Sequence, residues 1–136
     1  MAYVVLVLLT RKPDLSPEQF KEHFENNHLP LVKSLFGPLC PVPHRRLYLA
    51  RADNKSGDAS RALYPPLMLK GNPEDINFDC ISELSWKDEK TFKGFKQMMK
   101  QPELMANIAA DLELFVEVER VVVIGEVVDS LPRGWD

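Results

Sequence analysis

The order of its apolar patterns is the feature that most constrains the fold of this chain. Residues 3–10 place β-branched and other apolar side chains on both alternating faces, which is typical of a central strand covered on both sides. Further strand patterns occupy residues 44–51, 78–84 and 116–128, and helical patterns separate the first pair and the last pair of strands. The order β-α-β-β-α-β predicts an α+β domain whose helices pack on one face of an antiparallel sheet.

The length agrees with a single domain over residues 1–136, because one hydrophobic core usually organises about 100 to 150 residues. We therefore predict the ferredoxin-like fold. Its helices cover only one face of the sheet, whereas the strand patterns of this chain are apolar on both faces. An identical subunit is the simplest cover for the second face, so we expect a homodimer.

Charge and composition argue against several classes of function. Seventeen Lys and Arg against twenty Asp and Glu give a net charge of −3, spread along the chain, so we expect no nucleic-acid partner. The apolar run 2–9 is too short to cross a bilayer and follows no basic residue, so we expect neither a membrane segment nor a signal peptide. Cys40 and Cys80 lie in no metal-binding spacing, and no phosphate-binding glycine loop occurs. These features favour a reduced, cytoplasmic protein that works without metal or cofactor.

A long segment without regular periodicity, residues 52–77, separates the second and third strand patterns. Segments of this length are usually functional lids or disordered. Tyr64, Leu67 and Leu69 belong to an apolar patch inside it, which needs burial at the mouth of a cavity or against a partner subunit. We predict that this segment forms a lid across the entrance of a cavity between helices and sheet.

His28 is the most informative candidate for chemistry. It shares one helical face with Phe20 and Phe24 and lies two positions before Pro30, which should kink or end the helix near it. We therefore expect the imidazole to point inward. Two interpretations remain open: a core histidine whose nitrogens bond to backbone, or a general acid or base that exchanges a proton near neutral pH.

Polar side chains of the second and third strands are candidates for the same interior. Alternation places His44, Arg46 and Tyr48 on one strand face. The Arg46 guanidinium could bind a carboxylate or lie at a solvated edge, and Tyr48 could bond a phenolic or carbonyl oxygen or simply pack. Asp79 could orient or charge-balance a histidine or arginine, or form a salt bridge at a subunit interface.

Several motifs occur together in one order along the chain. They are residues 11–31 with the His-x-Pro pattern at 28–30, the strand 78–84 that begins Phe78-Asp79, Asp88-Glu89 followed by Phe92, Pro102-Glu103, the run 109–115 and the strand 121–126. In this order and spacing they resemble the EthD family of dimeric α+β-barrel proteins over nearly the whole chain, most closely fungal members found beside polyketide synthases.

This resemblance implies functional residues as well as a fold. It implies that His28 and Asp79 are catalytic. The second strand reads Arg46-Leu47-Tyr48 where relatives often read Arg-His-Tyr, so His44 is the position left for a second histidine. The residues expected to contact the substrate are Phe24, His44, Arg46, Tyr48 and Tyr64.

The activity implied by the resemblance is that of a cofactor-independent lyase, which decarboxylates an aromatic polyketide carboxylic acid in secondary metabolism. His28 would protonate the carbon that loses the carboxylate, in a cavity with few waters. A polyketide cyclase or dehydratase is the first alternative, because proton removal beside a carbonyl needs the same histidine. A non-catalytic protein that carries or protects a polyketide in that cavity is the second.

Overall fold

A computed structural model describes residues 3–51 and 64–136 of the chain. In this part, four strands form one sheet: β1 (Tyr3–Arg11), β2 (His44–Tyr48), β3 (Cys80–Trp86) and β4 (Val116–Ile124). Their order across the sheet is β2-β3-β1-β4, and each neighbouring pair is antiparallel. This arrangement confirms the α+β, ferredoxin-like prediction, including the central position of β1.

Two strands are shorter than their patterns indicate. β2 ends at Tyr48, which pairs with Cys80 at the first position of β3, so the two strands end together. β4 ends at Ile124, whose partner is Val4 near the start of β1. Because only Tyr3 of β1 lies beyond this pair, the apolar residues that follow Ile124 are left outside the sheet, and Val128 is 74% exposed.

The first helix consists of α1 (Pro17–His23), a π-turn (Phe24–His28) and α2 (Leu29–Phe36). It begins with a capping box, in which the Ser16 hydroxyl accepts the Gln19 backbone N–H at 3.1 Å and the Gln19 side-chain oxygen accepts the Ser16 backbone N–H at 2.9 Å. The irregularity expected near His28 is the π-turn, which lets the helix continue through Pro30 instead of ending there.

Two further helices pack on the same face of the sheet: α3 (Glu89–Met98) and α4 (Pro102–Phe115). Asp88 caps α3 by accepting the Thr91 N–H at 2.7 Å, and Pro102 begins α4, where no donor is required. No helix of the described residues is both long enough and apolar enough to span a membrane.

An aromatic cluster joins the first helix, α4 and the sheet. Phe20, Phe24 and Phe115 are at most 3% exposed, and the ring of Phe115 lies 5.5 Å from that of Phe20 and 5.8 Å from that of Phe24. Leu9 and Cys80 of the two central strands complete this cluster from below. The packing fixes the π-turn against both the sheet and α4.

Both cysteines of the chain are free thiols. Cys80 is fully buried, and burial raises its pKa to about 12. Cys40 is partly buried, and burial raises the pKa of its thiol as well. Neither side chain forms the bridge that two cysteines would allow.

The face of the sheet turned away from the helices carries a continuous apolar patch, which we call the outer face: Leu6, Leu8, Leu47, Ile81 and Val122. Ile81 pairs with both Leu8 and Leu47, and Leu6 pairs with Val122. Leu47 is 41% exposed and Val122 is 46% exposed. Nothing in the described single chain covers these two side chains fully.

Candidate active site

A cavity of about 710 Å³ lies between the helices and the sheet. All four strands, the first helix, α3 and α4 contribute side chains to its wall, and most of these are apolar. The charged and hydrogen-bonding side chains at the wall, apart from the thiol of Cys40, are His28, Lys33, His44, Arg46, Ser82, Trp86, Lys96 and Glu119. An apolar cavity with a few polar groups is the usual form of a small-molecule site.

His28 is buried, lines the cavity, and is held by a carboxylate from another helix. Its Nδ1 lies 2.7 Å from Oδ2 of Asp111 in α4. The ring also packs against Phe24 and Phe115, at centroid distances of 5.9 and 5.2 Å. The inward orientation expected for His28 is therefore observed, but its partner is a carboxylate and not a backbone group.

The surrounding hydrogen bonds define which nitrogens carry protons. The Asn27 amide nitrogen lies 3.2 Å from Nδ1 of His23, and Nε2 of His23 lies 3.1 Å from Asp111. Because the Asn27 N–H donates to His23, the proton of His23 is on Nε2 and is donated to Asp111. Asp111 thus accepts N–H groups from His23 and His28, and Nε2 of His28 has no partner among the described residues.

Burial lowers the pKa of His28, and the interaction with Asp111 opposes this effect only in part. The imidazole is therefore neutral near pH 7, with its proton on Nδ1 and the lone pair of Nε2 available. This is the protonation state of a general base. His23 serves as a second hydrogen-bond donor to the same carboxylate.

Arg46 and Tyr48 share a single partner, Glu25 of the π-turn. Nε and Nη2 of Arg46 donate to the two carboxylate oxygens of Glu25 at 2.8 and 2.7 Å, and the Tyr48 hydroxyl donates to Oε2. These bonds lower the pKa of Glu25, and burial raises that of Tyr48. Arg46 lines the cavity, whereas Tyr48 packs beside Phe24 and does not line it.

Of two cavity-lining residues on the sheet side, the sequence analysis predicted one and missed the other. His44 was a candidate and lines the cavity, and burial lowers its pKa to about 4, so it is neutral at pH 7. Ser82 of β3 was not a candidate, yet it is 2% exposed and lines the cavity on the face shared with Leu84 and Trp86. The alternation of β3 alone could have indicated this position.

Asp79 is 5% exposed and does not line the cavity. Its Oδ2 accepts the backbone N–H of Arg11 at 2.7 Å, and its Oδ1 accepts from the guanidinium of Arg51. Nε of Arg11 lies 3.5 Å from the same oxygen. Asp79 therefore balances the charge of two arginines, one of the roles expected for it, and its catalytic role stays a prediction.

The described part of the expected lid, residues 64–77, contributes no side chain to the cavity wall. Tyr64 packs with its ring beneath the Arg11 guanidinium at 5.5 Å, and its carbonyl accepts from Arg51 at 2.9 Å. Leu67 is 63% exposed and Leu69 is fully exposed, so the burial expected for them is absent in the single chain. Residues 52–63 lie outside the described residues, and the lid stays a prediction.

Sequence reasoning missed several polar residues at or beside the site: Glu25, Lys33, Ser82, Trp86, Lys96, Asp111 and Glu119. Asp111 had a detectable signal, because it lies three residues after Ile108 and four before Phe115, on the apolar face of α4. Glu119 lines the cavity from β4, and burial raises the pKa of its carboxyl. Within residues 3–51 and 64–136, no group of three His, Cys, Asp or Glu side chains is arranged to hold a metal ion.

The EthD domain family model matches residues 12–119 of the chain. Among solved structures, the chain is similar to an EthD family protein from Bacillus halodurans, with 18% identity and a TM-score of 0.52 over 92% of this chain and 99% of that one. A DABB family protein with a ferredoxin-like fold from Mesorhizobium loti has 11% identity and a TM-score of 0.52, over 93% of this chain and 97% of that one.

The cofactor-independent oxygenase SnoaB from Streptomyces nogalater is also similar in structure. It has 14% identity and a TM-score of 0.50, over 96% of this chain and 97% of that one. At such identities these three structures establish the shared fold, and the family model establishes the relationship.

Proposed function

This chain belongs to the EthD domain family, and we propose that it is a cofactor-independent lyase that removes the carboxyl group of an aromatic polyketide acid. The observation that carries this proposal is the His28–Asp111 pair at the wall of a largely apolar cavity. That SnoaB is a cofactor-independent oxygenase supports the use of this scaffold for chemistry without a bound cofactor.

A neutral His28 can move the proton that decarboxylation requires. Nε2 takes the proton of a hydroxyl ortho to the carboxylate, and Asp111 stabilises the imidazolium that forms. The imidazolium then protonates the ring carbon bearing the carboxylate, giving a β-keto acid. The carbon–carbon bond breaks, carbon dioxide leaves, and the bonding pair restores the aromatic ring as a phenolate that takes a proton from solvent.

The cavity wall favours these reaction steps because they convert a charged carboxylate into neutral carbon dioxide, which needs no polar partner. Apolar side chains, including Phe24 and Leu29, exclude water from the carboxylate, which favours the charge-dispersed transition state over the carboxylate. The same histidine would serve a cyclase or dehydratase, since each removes a proton beside a carbonyl.

The pairing of His28 with Asp111 supports a catalytic over a purely carrier role. In catalytic triads a carboxylate on one ring nitrogen fixes the histidine tautomer and stabilises the imidazolium, and His28 is paired with a carboxylate in this way while it lines the cavity. A polyketide carrier remains the alternative outcome of the test below.

The outer face supports a homodimer as part of the proposal. Leu47 and Val122 are exposed on the two edge strands of the outer face, on either side of Leu6, Leu8 and Ile81, and a second copy related by a two-fold axis would bury these side chains in both subunits at once. The cavity lies on the opposite side of the sheet, so each subunit would hold its own site.

The proposed function is tested by turnover of a panel of ortho-hydroxy aromatic acids, including anthraquinone carboxylic acids, with product mass as the readout. We expect loss of carbon dioxide, and we expect His28→Ala to reduce turnover by about 10²- to 10⁴-fold. His23→Ala is the matched control, because it removes an imidazole that bonds to Asp111 but does not line the cavity.

Each other outcome has a distinct meaning. Equal turnover by wild type and His28→Ala removes His28 from the mechanism. Loss of water, or an isomeric product, identifies the cyclase or dehydratase. Tight binding of one acid without any product identifies a polyketide carrier.

A further inference from the structure

Two buried polar atoms on the sheet side of the cavity have no hydrogen-bond partner among the described residues: Nε2 of His44 and Oγ of Ser82. Both residues line the cavity. Ser82 pairs with Arg46 across β2 and β3, and His44 lies two positions before Arg46 on the same strand face. Ser82 and His44 are therefore diagonal neighbours, and such positions are about 7–8 Å apart, so an oxygen-bearing group lying between them can reach both.

An unpartnered polar atom in a buried position lowers the stability of a protein, so two of them side by side at a cavity wall require an explanation. We propose that Ser82 and His44 form a hydrogen-bonding subsite for a neutral oxygen, carbonyl or phenolic, of the aromatic ligand. This inference rests on the proposed function, because it takes an aromatic acid as the occupant of the cavity.

The donor and acceptor inventory of the pair fits such an oxygen. The Ser82 hydroxyl donates one hydrogen bond and accepts others, and a neutral imidazole nitrogen either donates or accepts according to its tautomer. A carbonyl oxygen can take two donated hydrogen bonds from this pair. A phenolic hydroxyl can donate to one member and accept from the other.

The charges around the subsite favour a neutral oxygen over a carboxylate. Arg46, the adjacent cation, is bound by both oxygens of Glu25, and its Nη1 donates to the His44 carbonyl at 2.8 Å. The lysines that line the cavity, Lys33 and Lys96, come from α2 and α3 on the helix side. A ligand is thus oriented with its neutral oxygen toward the sheet and its carboxylate toward the helices.

The subsite is tested by calorimetric binding of two probes, 6-hydroxy-2-naphthoic acid and 2-naphthoic acid, which differ by one phenolic hydroxyl on the ring edge opposite the carboxylate. We expect the wild type to bind the hydroxylated acid about 3- to 10-fold more tightly, the range given by one additional hydrogen bond. Ser82→Ala should bring this ratio close to one. Ser85→Ala should keep it, because Ser85 belongs to the other face of β3 and does not line the cavity.

Stability without ligand provides the second measurement. Because the Ser82 hydroxyl has no hydrogen-bond partner among the described residues apart from a weak contact with the thiol of Cys80, Ser82→Ala should unfold at the same urea concentration as wild type or a higher one. His44→Phe, which keeps a ring of similar shape, should also lower the binding ratio and provides an independent second variant.

A retained binding ratio in both Ser82→Ala and His44→Phe would overturn the subsite. A lower urea midpoint for Ser82→Ala would also overturn it, since the hydroxyl would then have a structural partner such as a buried water. Equal binding of the two acids by wild type contradicts the subsite alone. Binding of neither acid contradicts the substrate class of the proposed function, and the subsite with it.

Discussion

Nδ1 of His28 and Oδ2 of Asp111 are 2.7 Å apart, although the two residues are 83 positions apart in the chain. The π-turn carries His28 and the apolar face of α4 carries Asp111, and the ring of Phe115 packs against the imidazole beside them. The protonation behaviour of the site therefore depends on how α4 packs against the first helix, and not on His28 alone.

Asp111→Asn should lower turnover and move the acid limb of the kcat/KM profile to lower pH. The carboxylate raises the pKa of His28 against the effect of burial, so its removal lets that pKa fall further. Loss of imidazolium stabilisation should reduce kcat by on the order of 10-fold or more. A pH–rate profile measures both effects. Glu113→Gln, at an exposed position of the same helix, is the control; an acid limb at higher pH would contradict the assigned pairing.

Asp79→Asn should affect stability far more than chemistry. The buried carboxylate pairs with Arg11 and Arg51, and removal of one partner from a buried ion pair costs about 3–5 kcal/mol. Urea unfolding should show this loss, while turnover per folded molecule falls less than in His28→Ala. Asp75→Asn, at an exposed turn, is the control. Unchanged stability with a loss of turnover as large as that of His28→Ala would instead make Asp79 catalytic.

The free energy of unfolding should decrease as the pH falls from about 6.5 toward 4. His44 has a folded-state pKa of about 4, below the usual value of 6.5, so the unfolded chain binds its proton first as the pH falls. The contribution of His44 to the free energy of unfolding is therefore complete above pH 6.5 and is lost as the pH falls from 6.5 to about 4. Urea midpoints between pH 7 and 4.5 measure the slope, which should be shallower in His44→Phe. Superimposable slopes would show that His44 is solvated.

A double substitution on the outer face, Leu47→Lys with Val122→Lys, should produce a folded monomer. Both side chains are partly exposed in the single chain, so charging them costs little within a subunit but places like charges across a two-fold interface. Sedimentation equilibrium should give a dimeric mass for the wild type. Leu114→Lys, on the exposed side of α4, should remain dimeric; a monomeric wild type would refute the homodimer.

Local signals in the sequence predicted the elements well. The inward face that His28 shares with Phe20 and Phe24 and the alternation around His44 each depend on residues within a few positions, and each is present in the structure. Pro30 correctly marked an irregular helix, although a π-turn absorbs the proline and the helix continues.

Contacts between elements that are far apart in the chain could not be predicted from local sequence patterns. Glu25 and Arg46 meet only because the first helix packs over the edge strand β2, and the end of β4 is set by the length of β1. Asp79 has the spacing expected of a site residue, but its side chain meets arginines outside the cavity. In each case the partner is chosen by tertiary packing, which a single strand or helix pattern does not contain.

Because both native cysteines react slowly, the protein can be labelled at an introduced cysteine without first replacing them. Thiolates and not thiols react with maleimides, and the raised pKa values of Cys40 and Cys80 leave little thiolate at neutral pH. A cysteine introduced by Leu114→Cys, at a side chain that is 64% exposed, would therefore be the first group to react. Dyes or spin labels can then report on α4 without removal of either native thiol.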